Sequence, residues 1–247
     1  VERFGAAEVD RGAIVELAPA WDSLSRTHLH PLRPLFEDDS LLIVDKPAGW
    51  VCDEAQCRKA LGPRRYLVHR LDKETTGVLV VAKTLKARAA LMQQFADRRI
   101  EKNYLALVDG IPRDKQGVCQ TFLAKIGSYE GQTIWASRSK GLYAETHWRC
   151  IASGSEASLL LCQPVTGRTH QIRVHLAELG MPILIDRQYS SKFRCRFFAS
   201  RPLLHALRIR LTHPETGEPV DVNAPLPDDF ALARESLIGR SGDARDV

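Results

Sequence analysis

The sequence has six cysteines, at positions 52, 57, 119, 150, 162 and 195, but no C-x-x-C pair among them. A structural zinc site needs thiolates or imidazoles at short paired spacing, so none is expected. Cys52 and Cys57 stand closest together, and no second Cys/His pair at zinc spacing accompanies them. Cys162 lies inside an apolar run and reads as a small core residue. Free thiols and a reducing compartment are therefore expected. No stretch approaches the roughly 20 apolar residues of a membrane helix. The N-terminus shows no apolar signal region. No Ser or Cys sits in a nucleophile-elbow setting, which argues against a hydrolase of that kind. Strong charge of one sign is missing too: 35 basic and 30 acidic residues leave a net charge of +5. That balance permits RNA binding without demanding it.

What is present suits a globular protein of one large or two small domains: 247 residues, 44% hydrophobic and 26% charged. The charge is unevenly spread. Basic residues gather at Arg64-Arg65, at Arg98-Arg99 and from Lys192 to Arg201, whereas Glu215, Glu218, Asp221, Asp228 and Asp229 lie toward the C-terminus.

The chain is organised around His69-Arg70-Leu71-Asp72-Lys73-Glu74-Thr75-Thr76-Gly77, followed by the apolar run Val78–Val81. The run has the length of a buried strand. Thr75, Thr76 and Gly77 read as a turn before it, which puts Asp72 on a loop entering the core. An Asp there can simply cap a turn. It can also be a carboxylate set beside Arg70 and His69 for chemistry.

Other segments read as follows. Leu41–Val44 is a buried strand, with Pro47 and Gly49 forcing a turn after it. Val51–Arg65 reads as a surface excursion. Thr84–Arg99 has helical spacing, with Thr84 as N-cap and Leu85, Ala89, Met92 and Ala96 toward the core. Tyr104, Ala106 and Val108 alternate as in a half-buried strand. Gly110 to Trp148 carries hairpin signals, and Ala157–Val165 is another buried strand. Thr169 can cap a helix with Ile172, Leu176 and Leu179 inward and Gly180 at its end. Lys192–Arg201 alternates cations with aromatics. That suits either contact with phosphates and bases or an apolar anchor with solvated flanks.

Three of these segments carry a resemblance. His69-Arg70-Leu71-Asp72-x-x-Thr75-Thr76-Gly77 resembles the catalytic motif of the RluA-type pseudouridine synthases, with Thr76 in place of the usual Ser. Lys102-x-Tyr104-x-Ala106-x-Val108 resembles the second family motif. Gly167-Arg168-Thr169-His170-Gln171-Ile172-Arg173-Val174-His175-Leu176 resembles the third, and is the most specific match in the chain. After it the family usually shows Gly-Asp; here Ile185 stands before Asp186. Matches run from Leu35 to Phe230.

The resemblance implies a mixed α/β (α+β) domain over residues 35–233, built on a largely antiparallel bent sheet with a central RNA-binding cleft. Residues 1–34 would be an N-terminal extension without a convincing S4 domain, and 234–247 a charged, frayed tail. The implied reaction turns uridine into pseudouridine within RNA. It moves the ribose C1′ bond from N1 to C5 and uses no metal, redox cofactor or external reactant. The implied catalytic residues are Asp72, Tyr104 and Arg173, with Arg173 as the cation that keeps Asp72 ionised and Arg168 as the weaker choice. Arg70, His69, Arg168, His170 and Gln171 would meet the substrate, Arg70 displacing the base from its stack. The expected protein is a cytoplasmic or organellar monomer acting on ribosomal or transfer RNA, with no membrane partner. Two rivals stay open: an RNA chaperone or ribosome-associated factor with lost catalysis, and a hydrolase pairing Asp72 with His69, His170 or His175.

Overall fold

The computed structural model describes residues 2–4, 7–9, 32–129 and 132–239. The extended segment expected at Val9–Leu17 lies, beyond Val9, outside the described residues, as does the tail from 240. Residues 1–30 and 31–247 form separate compact units. In the first, β1 (Glu2–Phe4) pairs antiparallel with β2 (Ala7–Val9).

The second unit runs β3 (Arg33–Glu37), β4 (Leu41–Lys46), α1 (Glu54–Leu61), β5 (Tyr66–Leu67), β6 (Thr76–Ala82), α2 (Leu85–Ala96), β7 (Glu101–Asp109) and β8 (Gln116–Tyr129). It continues with β9 (Gln132–Arg138), β10 (Leu142–Ser153), β11 (Ala157–Pro164), α3 (Gln171–Glu178), β12 (Leu204–Thr212), β13 (Pro219–Asn223) and α4 (Asp228–Ile238). The strands form one sheet in the order β3-β4-β6-β12-β7-β11-β10-β8-β9, with β13 beside β12 and β5 beside β6. Among the described residues, β6–β12 is the one parallel pairing, through His205↔Thr76 and Ala206↔Gly77.

That seam fixes the fold's centre. Gly77 has φ +107°, and a Cβ placed there would lie 2.1 Å from the Ala206 carbonyl oxygen. Only glycine both takes this conformation and lets the two backbones meet. The Asp72 loop is thereby delivered to the line where the two halves of the sheet join.

Both faces of the central strands are covered, so their residues are apolar throughout. Val78, Val80 and Ala82 pack with Ala87 and Leu91 of α2, while Leu79 and Val81 pack on the other side with Trp50, Cys52 and Leu71. Leu105, Leu107, Leu159 and Leu161 meet Phe230 and Ala233 of α4, whereas Ala106, Val108, Leu160 and Cys162 meet Ile172 and Leu176 of α3. Each such Leu or Val contributes about 1.5–3 kcal/mol by leaving water. The alternation at Tyr104, Ala106 and Val108 therefore marks a strand covered on both faces, not a half-buried one, because the intervening Leu105 and Leu107 are buried too.

Four further expectations change. The Thr84 side chain caps α2 by accepting from the Ala87 N–H, but the buried face is Ala87, Leu91 and Gln94. Leu85 and Met92 point to solvent at 64% and 49% exposure, so the apolar spacing selected the wrong face. Gln94 is buried because its amide makes both bonds of a ladder with the Thr212 main chain, at 2.7 and 3.0 Å. The excursion at Val51–Arg65 contains α1, capped by Asp53. The frayed tail expected from Arg234 is helical to Ile238, where Leu237 and Ile238 pack against the Phe230 cluster. Finally, Lys192–Arg201 is an apolar anchor: Phe193, Cys195, Phe197 and Ala199 face that same cluster, with Lys192, Arg194 and Arg196 exposed.

Candidate active site

A cleft lies over the central seam, lined by the loop before β6, the start of β7, and the turn into α3. Arg70, Leu71, Asp72 and Thr75 form one wall. Lys102 and Tyr104 lie at its floor, and Thr166 to Arg173 form the other wall. Among these lining residues Asp72 is the one carboxylate, and Arg70, Lys102, Arg168 and Arg173 are the cations.

The Asp72 loop is fastened through its main chain. Lys46, fully buried, donates to the carbonyls of Pro47 (2.8 Å) and Lys73 (2.9 Å). Arg201 donates to the Glu74 carbonyl at 3.2 Å, and its guanidinium is held by Asp229 of α4 at 2.7 and 2.8 Å. The Leu71 N–H points at Cys52 Sγ. Thr76 Oγ1 bonds His205 Nδ1 at 2.9 Å, a contact that either Ser or Thr can make. Arg201 is thus no RNA-facing member of the basic segment: it is 3% exposed and spent on the loop.

Opposite Asp72 stands Arg173. Its Nη1 lies 3.4 Å from Asp72 Oδ2. The other side of the guanidinium is gripped by Asp186, through Nε (2.7 Å) and Nη2 (2.8 Å), and by Gln188 Oε1 (2.7 Å). Burial alone would lower the Arg173 pKa, but the hydrogen bonds and charge of Asp186, with the charge of Asp72, hold it above its usual value. The cation opposite Asp72 is therefore permanent. His170 Nε2 lies 3.9 Å from Asp72 Oδ1. His170 has φ +56° and precedes α3 without a side-chain cap, so Thr169 is not the cap expected there.

Tyr104 lies at the junction of two core clusters, touching both the Asp72 wall and the α3 wall. Burial, reinforced by the Asp72 charge, pushes its phenol pKa up, so it stays protonated at neutral pH. Lys102 reaches the Thr166 carbonyl at 3.3 Å, and burial lowers its pKa to about 8. Arg168 donates from Nε to the Tyr143 carbonyl at 3.0 Å. Arg70 is exposed, and no hydrogen bond or ion pair holds its guanidinium among the described residues.

Two residues expected at the substrate have their polar groups engaged by the protein itself. His69 does not line the cleft: its Nε2 accepts the Val80 N–H at 2.9 Å and its ring stacks on Phe95. Gln171 lines the cleft, but its amide is engaged on both sides. Oε1 accepts from Thr166 (2.6 Å) and the Arg168 N–H (3.0 Å), and Nε2 donates to the Glu145 carbonyl and Thr146 Oγ1. It shapes the turn. His175, the third candidate for a hydrolase, is fully buried between Thr121 and Thr146 hydroxyls, which removes it from Asp72.

The sequence reading did not assign Asp186, Gln188, Tyr189 or Lys102. A charged Asp directly after the apolar Ile183-Leu184-Ile185 was the available signal, since a carboxylate next to core needs a partner.

A sequence model described as RNA pseudouridylate synthase matches residues 40–178, more than half the chain. This chain belongs to the RNA pseudouridylate synthase family. It is 39% identical to the ribosomal large subunit pseudouridine synthase D of Nitrosomonas europaea over 84% of this chain, and spans 65% of that protein. The corresponding protein of Zymomonas mobilis is 38% identical over 84% of this chain and 73% of its own length. Ribosomal large subunit pseudouridine synthase C of Vibrio vulnificus is 34% identical over 82% and 68%. The structure of human RNA pseudouridylate synthase domain containing 1 superposes with a TM-score of 0.69 at 28% identity, covering 82% of this chain and 86% of that one. Asp72, Tyr104 and Arg173 all fall within the matched family segment. No described helix is long and apolar enough to cross a membrane.

Proposed function

We propose that this chain isomerises uridine to pseudouridine in ribosomal RNA of the large subunit, with Asp72 as the reacting carboxylate. One observation carries the assignment: a single carboxylate among the described lining residues, set 3.4 Å from a permanent cation in a cleft that also holds Arg70, Lys102, Arg168 and the Tyr104 phenol. The relatives' names support large-subunit RNA as the target.

The reaction breaks the C1′–N1 bond, turns the uracil within the site, forms C1′–C5, takes the proton from C5 and returns one to N1. It balances without a co-reactant. Asp72 acts at the sugar, as nucleophile or as stabiliser of positive charge at C1′. Arg173 sets a fixed positive charge 3.4 Å from it. Tyr104 packs against the uracil and, as a neutral phenol, takes up the C5 proton only while its own leaves to solvent, which returns one to N1. Arg70, exposed at the mouth, fills the gap left by the displaced base. Unstacking costs about a few kcal/mol, met by contacts elsewhere. Lys102 and Arg168, two further cations of the cleft, add positive charge that favours the RNA backbone. Asp72, Tyr104 and Arg173 come from one chain, which supports action as a monomer. Bacterial relatives named for ribosomal RNA support a cytoplasmic setting.

The test is pseudouridine mapping of ribosomal and transfer RNA incubated with the purified chain and with D72N. New pseudouridine in large-subunit RNA with the wild type alone is the expected result. Modification by D72N at the wild-type rate would reject Asp72. Modification confined to transfer RNA would reject the target.

A further inference from the structure

Asp72 has two carboxylate oxygens, and Arg173 faces only one of them. The other, Oδ1, faces His170 Nε2 at 3.9 Å. Whether that nitrogen carries a proton follows from what stands behind the ring. His170 Nδ1 is 2.7 Å from the Tyr189 hydroxyl oxygen. That oxygen also accepts the Trp135 main-chain N–H at 3.2 Å. A backbone N–H can only donate, so it uses one phenol lone pair. A second lone pair remains, so the direction follows from the phenolic proton, for which His170 Nδ1 is the one acceptor among the described contacts. Nδ1 carries no proton, and the neutral imidazole carries its own on Nε2, toward Asp72. Burial favours that neutral form, with the Asp72 charge opposing and the Arg173 charge adding to it.

The ring has little freedom to leave this arrangement. His170 sits in the left-handed region with φ +56° and ψ +16°. Its side chain is 13% exposed. It meets the Tyr189 ring edge-on at 5.6 Å, and Tyr189 in turn lies under the Arg173 guanidinium at 5.1 Å. Two chains of contacts therefore converge on Asp72. One runs from Asp186 through Arg173 to Oδ2. The other runs from the Trp135 main chain through Tyr189 and His170 to Oδ1.

We propose that His170 is a positioning residue. Held as the Nε2–H tautomer by Tyr189, it closes onto Asp72 Oδ1 when RNA fills the cleft and fixes the rotation of the carboxylate against Arg173. At 3.9 Å the contact is longer than a hydrogen bond; such contacts tighten in the loaded site. The inference rests on Asp72 being the reacting carboxylate. It assigns Tyr189, outside the three motifs, to control of a tautomer.

The test combines kinetics with a spectroscopic readout. H170A lowers kcat about tenfold to a hundredfold and leaves KM within about twofold. In H170Q the amide nitrogen takes the place of Nε2 and restores most of kcat. In H170N it takes the place of Nδ1 and does not. Nitrogen-15 NMR of the wild type shows His170 protonated at Nε2, and Y189F shifts it to a mixture of tautomers with a severalfold loss of kcat. A wild-type Nδ1–H tautomer, equal rescue by Asn and Gln, or an unchanged kcat in H170A would overturn the assignment. A wild type that modifies no RNA overturns the functional reading instead, before any variant is made.

Discussion

The two walls of the cleft are held by different means. The Asp72 wall is fastened to main-chain atoms: Lys46 to the Lys73 carbonyl, Arg201 to the Glu74 carbonyl, His69 to the Val80 N–H, and Gly77 packed against the Ala206 backbone. The α3 wall has main-chain anchors too, from Gln171 and Arg168, but the two residues that face Asp72 are held side chain to side chain: Arg173 to Asp186 and Gln188, His170 to Tyr189. Main-chain anchors place a loop whatever its other side chains are. Side-chain pairs work only while both partners keep their identity. The first wall therefore fails at its backbone positions, and the second fails at its charges.

The largest expected effect breaks the first wall. In G77A the new Cβ collides with the Ala206 carbonyl, a backbone atom that cannot step aside, and φ +107° excludes alanine as well. We expect a loss above about 4 kcal/mol, read as failure to fold or a collapsed urea midpoint. A G77A protein of wild-type stability would show that the seam is looser than described.

The second wall breaks at Arg173. R173M leaves Asp186, 1% exposed, as a buried charge without its partner. Removing one member of such a pair costs about 3–5 kcal/mol. The double variant R173M/D186N removes the stranded charge, so it regains much of the stability while staying inactive, because Asp72 still lacks its cation. Recovery of pseudouridine formation by the double variant would show that Arg173 serves only the fold.

This difference between the walls also explains what could be read in the sequence. Asp72, Tyr104 and Arg173 lie in dense local motifs, and the structure brings them to one cleft. Buried strands such as β6 were legible because continuous apolar runs reflect burial on both faces. Partners far apart in the chain were not. Arg201 looked like a phosphate-binding cation because it ends a run that alternates cations with aromatics; nothing local says that Asp229 awaits it. His69 and Gln171 looked available because motif membership does not reveal that their polar atoms are already used by Val80, Thr166 and Glu145. Met92 looked like core because the helix carries apolar residues on two faces, and the ladder between Gln94 and Thr212 decides between them.

Acid gives a smaller effect and compares the walls directly, since each holds a histidine whose pKa is lowered by burial. Burial lowers the His69 pKa to about 3 and that of His175 to about 4. Both are neutral at pH 7 in folded and unfolded chains. Below pH 6.5 the unfolded chain takes up protons that the folded one refuses, so this stability is complete above 6.5 and drains away as pH falls toward 4 and then 3. At pH 5 each histidine has lost on the order of 2 kcal/mol. His69 resists protonation more because the Lys102 charge reinforces its burial, whereas the Glu178 carboxylate opposes burial at His175. Urea midpoints between pH 7 and 5, with NMR titration of the two rings, measure this. A flat midpoint, or His69 titrating above His175, would contradict it.

The smallest effect concerns the loop that carries Asp186. Ile185 stands there with φ +66°, a region costing a residue with a Cβ about 1–2 kcal/mol and worst for β-branched side chains. Ile185 offsets the strain by packing, partly buried, against the Phe230 cluster. I185G should therefore change stability by less than about 1 kcal/mol, since relief of strain balances lost packing and the greater freedom of the unfolded chain. Ile183, two residues earlier, is 1% exposed and has no positive φ to relieve. I183G should cost about 3–5 kcal/mol. The difference between these two substitutions isolates the strain. If I185G proves as damaging as I183G, packing alone governs that loop, and the isoleucine holds Asp186 in place rather than being tolerated beside it.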